Sequence, residues 1–131
     1  MSKQRTVLVT GGSRGIGASI AQHFAEQGDR IAVHYSSNGD LAKEVMASLP
    51  GSGHMTAQAD LRDADAIKVM VDSVANEFGH IDILINNAGV FFDHPIESST
   101  YEVWQKAWAD TLGVNLTGAA NVTWCALQHM P

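Results

Sequence analysis

The residues best suited to chemistry in this chain form one short run, Gly11-Gly12-Ser13-Arg14-Gly15-Ile16-Gly17. A glycine takes positive φ without a Cβ penalty, so Gly11 or Gly12 can turn the backbone sharply out of a preceding strand. The bare Cα of Gly15 lets an anion approach the main chain. Gly17 lets a following helix sit close to the strand. The free N–H groups of that helix's first turn then face a phosphate. Ser13 and Arg14 lie inside the turn, and a guanidinium pairs with a phosphate through two parallel N–H groups. The spacing, Gly-x-x-x-Gly-x-Gly, is neither Gly-x-Gly-x-x-Gly nor a loop ending in Gly-Lys-Ser/Thr.

A second group of candidates lies where a nucleotide's ribose would be read, about 20 residues on. That stretch is Ala32-Val33-His34-Tyr35-Ser36-Ser37, with no carboxylate before Asp40. An NAD site places an Asp or Glu there for the ribose 2′-hydroxyl. Arg14 with Ser36 or Ser37, beside Tyr35, suits a 2′-phosphate instead, so the expected cofactor is NADP(H) rather than NAD(H). His34 reads as a strand residue packed near the sheet edge. A third group is Asn86-Asn87-Ala88-Gly89, directly after the aliphatic run Ile81–Ile85. Its amides can tie adjacent loops together, and Ala88 and Gly89 leave room for a flat ligand. Asp60, followed by Leu61, can accept a hydrogen bond from an adenine amine or cap a helix beginning near Asp63.

These groups need a scaffold that brings strand ends together, and the chain alternates in the required way. Strands are predicted at Thr6–Thr10, Arg30–Tyr35, His54–Ala59 and Ile81–Ile85, the last aliphatic enough to be covered on both faces. Between them lie helices at Ile16–Gln27, with Ile16, Ile20, Ala21 and Phe24 on one face; at Asp40–Leu49; and before Gly79, with Ile67, Met70, Val71, Val74 and Phe78 inward. Two more helices are predicted, from about Tyr101 to Thr111 and from Asn115 to Met130. Strands alternating with helices of this length imply a parallel α/β sheet with right-handed crossovers. Residues 1–131 read as one domain.

Composition narrows the function classes. There are 14 Asp and Glu against 8 Lys and Arg, a net charge of −6. An acidic surface without a basic, aromatic-interleaved run excludes a nucleic-acid partner. Cys125 is the single cysteine, so no intrachain disulfide or CxxC site forms. The histidines fall in no close ligand pattern, so no metal is expected. No apolar stretch is long enough for a membrane span, and the polar start does not read as a signal peptide, which makes the cytoplasm the expected compartment.

The segments TGGSRGIG (Thr10–Gly17), Ala59-Asp60, NNAG (Asn86–Gly89) and VNLTG (Val114–Gly118) follow one another in the order and separation of a known family. The chain resembles the classical short-chain dehydrogenase/reductases, most of all the 3-oxoacyl-[acyl-carrier-protein] reductases. The resemblance covers the whole chain. It implies a Rossmann-type doubly wound parallel sheet, truncated after about four strands, and an oxidoreductase acting on a 3-oxoacyl thioester or small ketone. Alternatives are a sugar or steroid alcohol dehydrogenase of the same family and a short nucleotide-binding protein without catalysis. In family terms Gly11, Gly15 and Gly17 line the cofactor pyrophosphate with Ile16 against it, and Arg14 marks NADPH preference. Asp60 contacts adenine, and the Asn86–Gly89 turn runs beside the ribose. Asn115 is the one member of the catalytic tetrad present, bending its helix so that a backbone carbonyl holds a water. The family's Ser and Tyr-x-x-x-Lys have no counterpart: Tyr35 is followed four places on by Gly39, and Tyr101 by Gln105. This segment is therefore expected to be a cofactor-binding half, inactive alone. The full-length form is expected to be a homo-oligomer, with Trp124 and Met130 either at the subunit contact or in the core.

Overall fold

The computed structural model describes residues 3–131. Four parallel strands, β1 (Thr6–Val9), β2 (Arg30–Tyr35), β3 (Met55–Gln58) and β4 (Ile83–Ile85), form one sheet in the order β3-β2-β1-β4. The register sets Val7 beside Ile31 and Ile83, and Val9 beside Val33 and Ile85. Successive side chains on a strand point to opposite faces. Val7, Val9, Ile31 and Val33 therefore pack under helices α1 (Gly15–Glu26) and α2 (Gly39–Ser48). Leu8, Ala32 and Ala57 pack under α3 (Ala64–Phe78) and α5 (Ala119–Leu127). This is the doubly wound Rossmann-type arrangement.

The inward stripe of α3 is as its sequence spacing requires: Ile67, Met70, Val71, Val74 and Phe78 are all buried. Three expectations need correction. Ile16 does not join the buried face of α1 but is 75% exposed, lining the cleft and an open apolar hollow shared with Ile20, Phe24 and Ile85 rather than packing into the core. Strand β4 has a core on each face, with Leu84 against one and Ile83 and Ile85 against the other, but it is only half-buried, because among the described residues it is the edge strand and β1 is its one partner. The helices expected on either side of residues 112–114 are one continuous run. α4 (Tyr101–Leu112) passes through a π-helical segment, Gly113–Gly118, into α5. Gly113 and Gly118 both hold ordinary right-handed helical torsions, so neither breaks the run. A Cβ on Gly118 would lie 2.5 Å from the Leu61 carbonyl oxygen, so its bare Cα lets the loop after β3 press against the π-segment. Met130 packs against the chain's own core, whereas Trp124 is exposed.

Candidate functional site

The strand order reverses direction between β1 and β4, and in open parallel sheets the crevice at that point, beyond the carboxyl ends of the strands, is where ligands bind. Both glycine- and asparagine-bearing turns leave the sheet there, and hydrogen bonds lock them together. The buried Thr10 hydroxyl accepts from the N–H groups of Asn87 and Ala88, each at 3.0 Å, and donates to the Ile85 carbonyl. The Asn87 amide donates back to the carbonyls of Thr10 and Gly11. Thr10 was not among the expected site residues. Its signal was a hydroxyl between the apolar run Val7–Val9 and the glycine turn.

Gly11 makes the tight exit from β1, with φ of +63°. Gly17 turns its bare Cα onto that exit: a Cβ there would lie 2.1 Å from the Gly11 carbonyl oxygen. Gly17 and Gly15 thus lie behind or beside the cleft rather than among its lining residues. Helix α1 starts after Arg14 with no side-chain cap and no acid in its first turn. By contrast, Asn38, Asp63 and Thr100 cap α2, α3 and α4 through their own side chains. The first-turn N–H groups of α1 are left for an external acceptor.

The resulting cleft has a volume of about 360 Å³. Gly11, Ser13, Arg14, Ile16, Tyr35, Ser36, Leu61, Asn87, Ala88 and Gly89 line it, all of them expected from the sequence. His34, Ser37, Asn38, Leu41, Val90 and Val114 complete the wall. Arginine is the one fully charged side chain on it, and no carboxylate lines it. Asp60 is not on the wall. Its carboxylate accepts from the Arg62 backbone N–H and from the Arg62 guanidinium, which holds its pKa below the usual carboxylate range. The helix cap nearby is supplied by Asp63. Arg62 also reaches Asp110 on α4 at 3.1 Å.

His34 is the residue that sequence reasoning underrated. It is 1% exposed and lies inside the sheet rather than at its edge. The Gly11 N–H donates to its Nδ1 at 2.9 Å, so Nε2 carries the proton and donates to the Ala59 carbonyl at 2.9 Å. Burial pushes the imidazole pKa down, against the opposing pull of the Ala59 carbonyl, and the ring is neutral.

Asn115 sits within the π-segment, but its side chain does not line the cleft. Both its amide atoms grip one residue: Oδ1 accepts from the Val90 N–H and Nδ2 donates to the Val90 carbonyl, each at 2.8 Å. π-turns inserted in α-helices recur at functional sites, and this one fixes the strand-β4 loop against the helix. Further along that loop, His94 packs edge-on against Trp104 and near Trp108, and Phe91 is largely exposed. Among the described residues no cluster of acidic, histidine or cysteine side chains could hold a metal ion, and no helix is long and apolar enough to cross a membrane.

The family model for short chain dehydrogenase matches residues 5–131. A 3-oxoacyl-[acyl-carrier-protein] reductase FabG of Staphylococcus aureus is 37% identical over 99% of this chain and 52% of its own length. The 3beta-hydroxysteroid dehydrogenase 1 of Eggerthella lenta is 34% identical over 97% of this chain and 48% of its own length. A short chain dehydrogenase from Burkholderia cenocepacia, solved in complex with NADP, superposes with a TM-score of 0.84 at 35% identity, over 96% of this chain and 51% of that one. The chain thus spans about half the length of the relatives it matches. With the matched residues taking in the glycine turn, the Asn86–Gly89 turn and the π-segment alike, the chain belongs to the short-chain dehydrogenase family.

Proposed function

We propose that this chain forms the NADP(H)-binding portion of a carbonyl reductase whose substrate is a 3-oxoacyl thioester or a small ketone. The observation that carries the cofactor is the charge of the cleft wall, which presents Arg14 with Ser36 and Ser37 and no carboxylate. An adenosine 2′-phosphate needs a cation and hydroxyl donors there, and a carboxylate would repel it. The NADP-bound state of the Burkholderia cenocepacia relative supports the same choice. The fit is also steric: the bare Cα of Gly17 lets α1 approach the turn at Gly11, and the uncapped start of α1 leaves its first-turn N–H groups without a side-chain acceptor.

When bound, the nicotinamide supplies a hydride for a carbonyl carbon. The chain's own residues do the holding. Gly11, Ser13 and Ile16 would hold the phosphates, with Gly15 and Gly17 giving the turn its shape. Arg14, Tyr35 and Ser36 would hold the 2′-phosphate. Leu61, Asn87, Ala88 and Gly89 form the adenosine side, with Asp60 acting through Arg62 to shape the loop that carries Leu61. Asn115 acts as a positioning residue: its side chain is committed to Val90, so what it contributes to a proton relay comes from its main chain. The general acid is to be sought outside these residues, because Tyr35 and Tyr101 lack a lysine four places on.

Titration of NADP+ and NAD+ into the wild-type chain and Arg14→Ala tests the cofactor. The expected result is tighter NADP+ binding, weakened at least about tenfold by the substitution as a charge-assisted phosphate contact is lost, with NAD+ affinity within about twofold. Equal affinities in the wild type, or an unaltered Arg14→Ala, refute the reading. The FabG and steroid dehydrogenase relatives, and a Glucose 1-dehydrogenase 2 of Bacillus subtilis at 30% identity, set the substrate panel. The natural gene product with NADP(H) is expected to prefer a 3-oxoacyl thioester over a 3-hydroxysteroid or glucose.

A further inference from the structure

We infer that His34 is a positioning residue for nucleotide binding, a buried strut whose Nδ1 holds the Gly11 amide in the orientation the phosphate turn requires. The inference rests on the reading that the cleft takes a dinucleotide. Gly11 is the pivot of the turn, and its two peptide groups are held by side chains from two different strand ends. Its carbonyl accepts from Asn87 Nδ2 at 3.2 Å, and its N–H donates to His34 Nδ1 at 2.9 Å. The far side of the ring is tied to the end of β3 through Nε2 and the Ala59 carbonyl. The main chain adds to the link, with the Gly12 N–H donating to the His34 carbonyl at 3.0 Å.

The ring therefore spans three successive strand ends and fixes the height of the turn above the sheet. On its own face of β2 the core is apolar, with Ala32, Leu8 and Ile67 buried in one cluster. A polar ring is costly to bury there unless both nitrogens are satisfied, and here both are. Its neutral state, favoured by burial, is the one that leaves Nδ1 free to accept. A buried acceptor lost from Gly11 would let this peptide rotate, and the turn's free N–H groups would lose their common aim.

The chain carries an internal control. His54 uses the same pairing pattern at the opposite end of the sheet: the Ile31 N–H donates to its Nδ1 at 3.0 Å, and its Nε2 lies 2.8 Å from the Pro50 carbonyl. It is remote from the cleft wall.

The experiment compares NADP+ affinity and melting temperature at pH 8 for wild type, His34→Asn, His34→Leu and His54→Leu. Asn keeps an acceptor at the δ position, and Leu does not. The expected result is that His34→Leu weakens NADP+ at least about tenfold, the scale of an unsatisfied buried donor. His34→Asn is expected within about threefold of wild type, and His54→Leu unchanged despite a lowered melting temperature. In 15N NMR the wild-type His34 ring is expected as the neutral Nε2–H tautomer, and the Gly11 amide resonance should move in His34→Leu but not in His54→Leu. Equal weakening by the two leucine variants, or His34→Asn failing alongside His34→Leu, overturns the inference. So does a wild-type ring protonated on Nδ1, which decides the matter even if His34→Leu does not fold. A wild type that binds no NADP+ while its His34 holds the expected tautomer and Gly11 coupling overturns the dinucleotide reading instead.

Discussion

Replacing Gly17 by alanine sets two opposing effects against each other, and the structure decides which wins. Gly17 lies in the first turn of α1, where alanine improves helix propensity by about 1 kcal/mol. The added Cβ would lie 2.1 Å from the Gly11 carbonyl oxygen, 2.6 Å from Asn87 Nδ2 and 2.8 Å from the Gly11 carbonyl carbon. Ordinary contact needs about 3.4 Å or more, so helix and turn must part by about 1 Å. Two of the three atoms are backbone and cannot swing aside, and the third is the amide that holds Gly11. Overpacking of this kind costs about 1–3 kcal/mol or more, and losing the Asn87 bonds adds about 1 kcal/mol. The propensity gain and the lost Asn87 bonds cancel at about 1 kcal/mol each, so a 2.1 Å approach, which puts overpacking at the top of its range, leaves a net loss of about 3 kcal/mol, or about 10 °C in Tm for a domain of this size. NADP+ affinity should fall with it. Gly15→Ala is the matched comparison: φ there is +55° and nothing lies within 4 Å of the added Cβ, so the cost is conformational alone, about 1–2 kcal/mol. Thermal unfolding of both variants checks the reasoning. A Gly17→Ala chain as stable as wild type, or more stable than Gly15→Ala, would refute it.

Other expectations follow from the same contacts. His34 is neutral when folded, with its pKa lowered by burial, so below the ordinary imidazole value of about 6.5 the unfolded chain takes up a proton that the folded chain resists. Stability is then fully present above about pH 6.5 and declines as pH falls toward the folded-state pKa, by at most about 1.4 kcal/mol per pH unit from this group. Urea unfolding between pH 7.5 and 5.5 should show the decline, and His34→Asn should remove its share of it. Asn115→Ala strips both partners from Val90. About 1 kcal/mol of destabilisation and faster amide exchange in residues 90–100 are expected, and unchanged exchange there would dismiss the clamp. The outer edge of β4 offers unpaired backbone flanked by Ile83 and Ile85. The 131-residue chain is expected to self-associate in size-exclusion chromatography with light scattering, and a monodisperse monomer would contradict this.

Short-range information in the sequence determined the order of strands and helices, the inward stripe of α3 and the turn at Gly11. Those features depend on periodicity and on a glycine's access to positive φ, which a window of a few residues contains. Ten of the expected site residues meet in one cleft for the same reason: they sit at strand ends, and a parallel sheet gathers strand ends on one edge. Tertiary structure decided what those ends do to one another. His34 meets Gly11 across 23 positions, Thr10 meets Ala88 across 78, and Asn115 meets Val90 across 25. Nothing in the local pattern around His34 distinguishes a strut from a strand residue at an edge. Asp60 offers an acceptor in the sequence, and what the fold adds is its partner: Arg62, two places on, bonds it once the loop folds against α4. The break expected between residues 111 and 115 is absent because Gly113 and Gly118 admit close contact with Arg62 and Leu61, and that packing favours a continuous helix with a π-turn over a loop. Side-chain hydrogen bonds between distant strand ends are the part of this site that only the assembled sheet could specify.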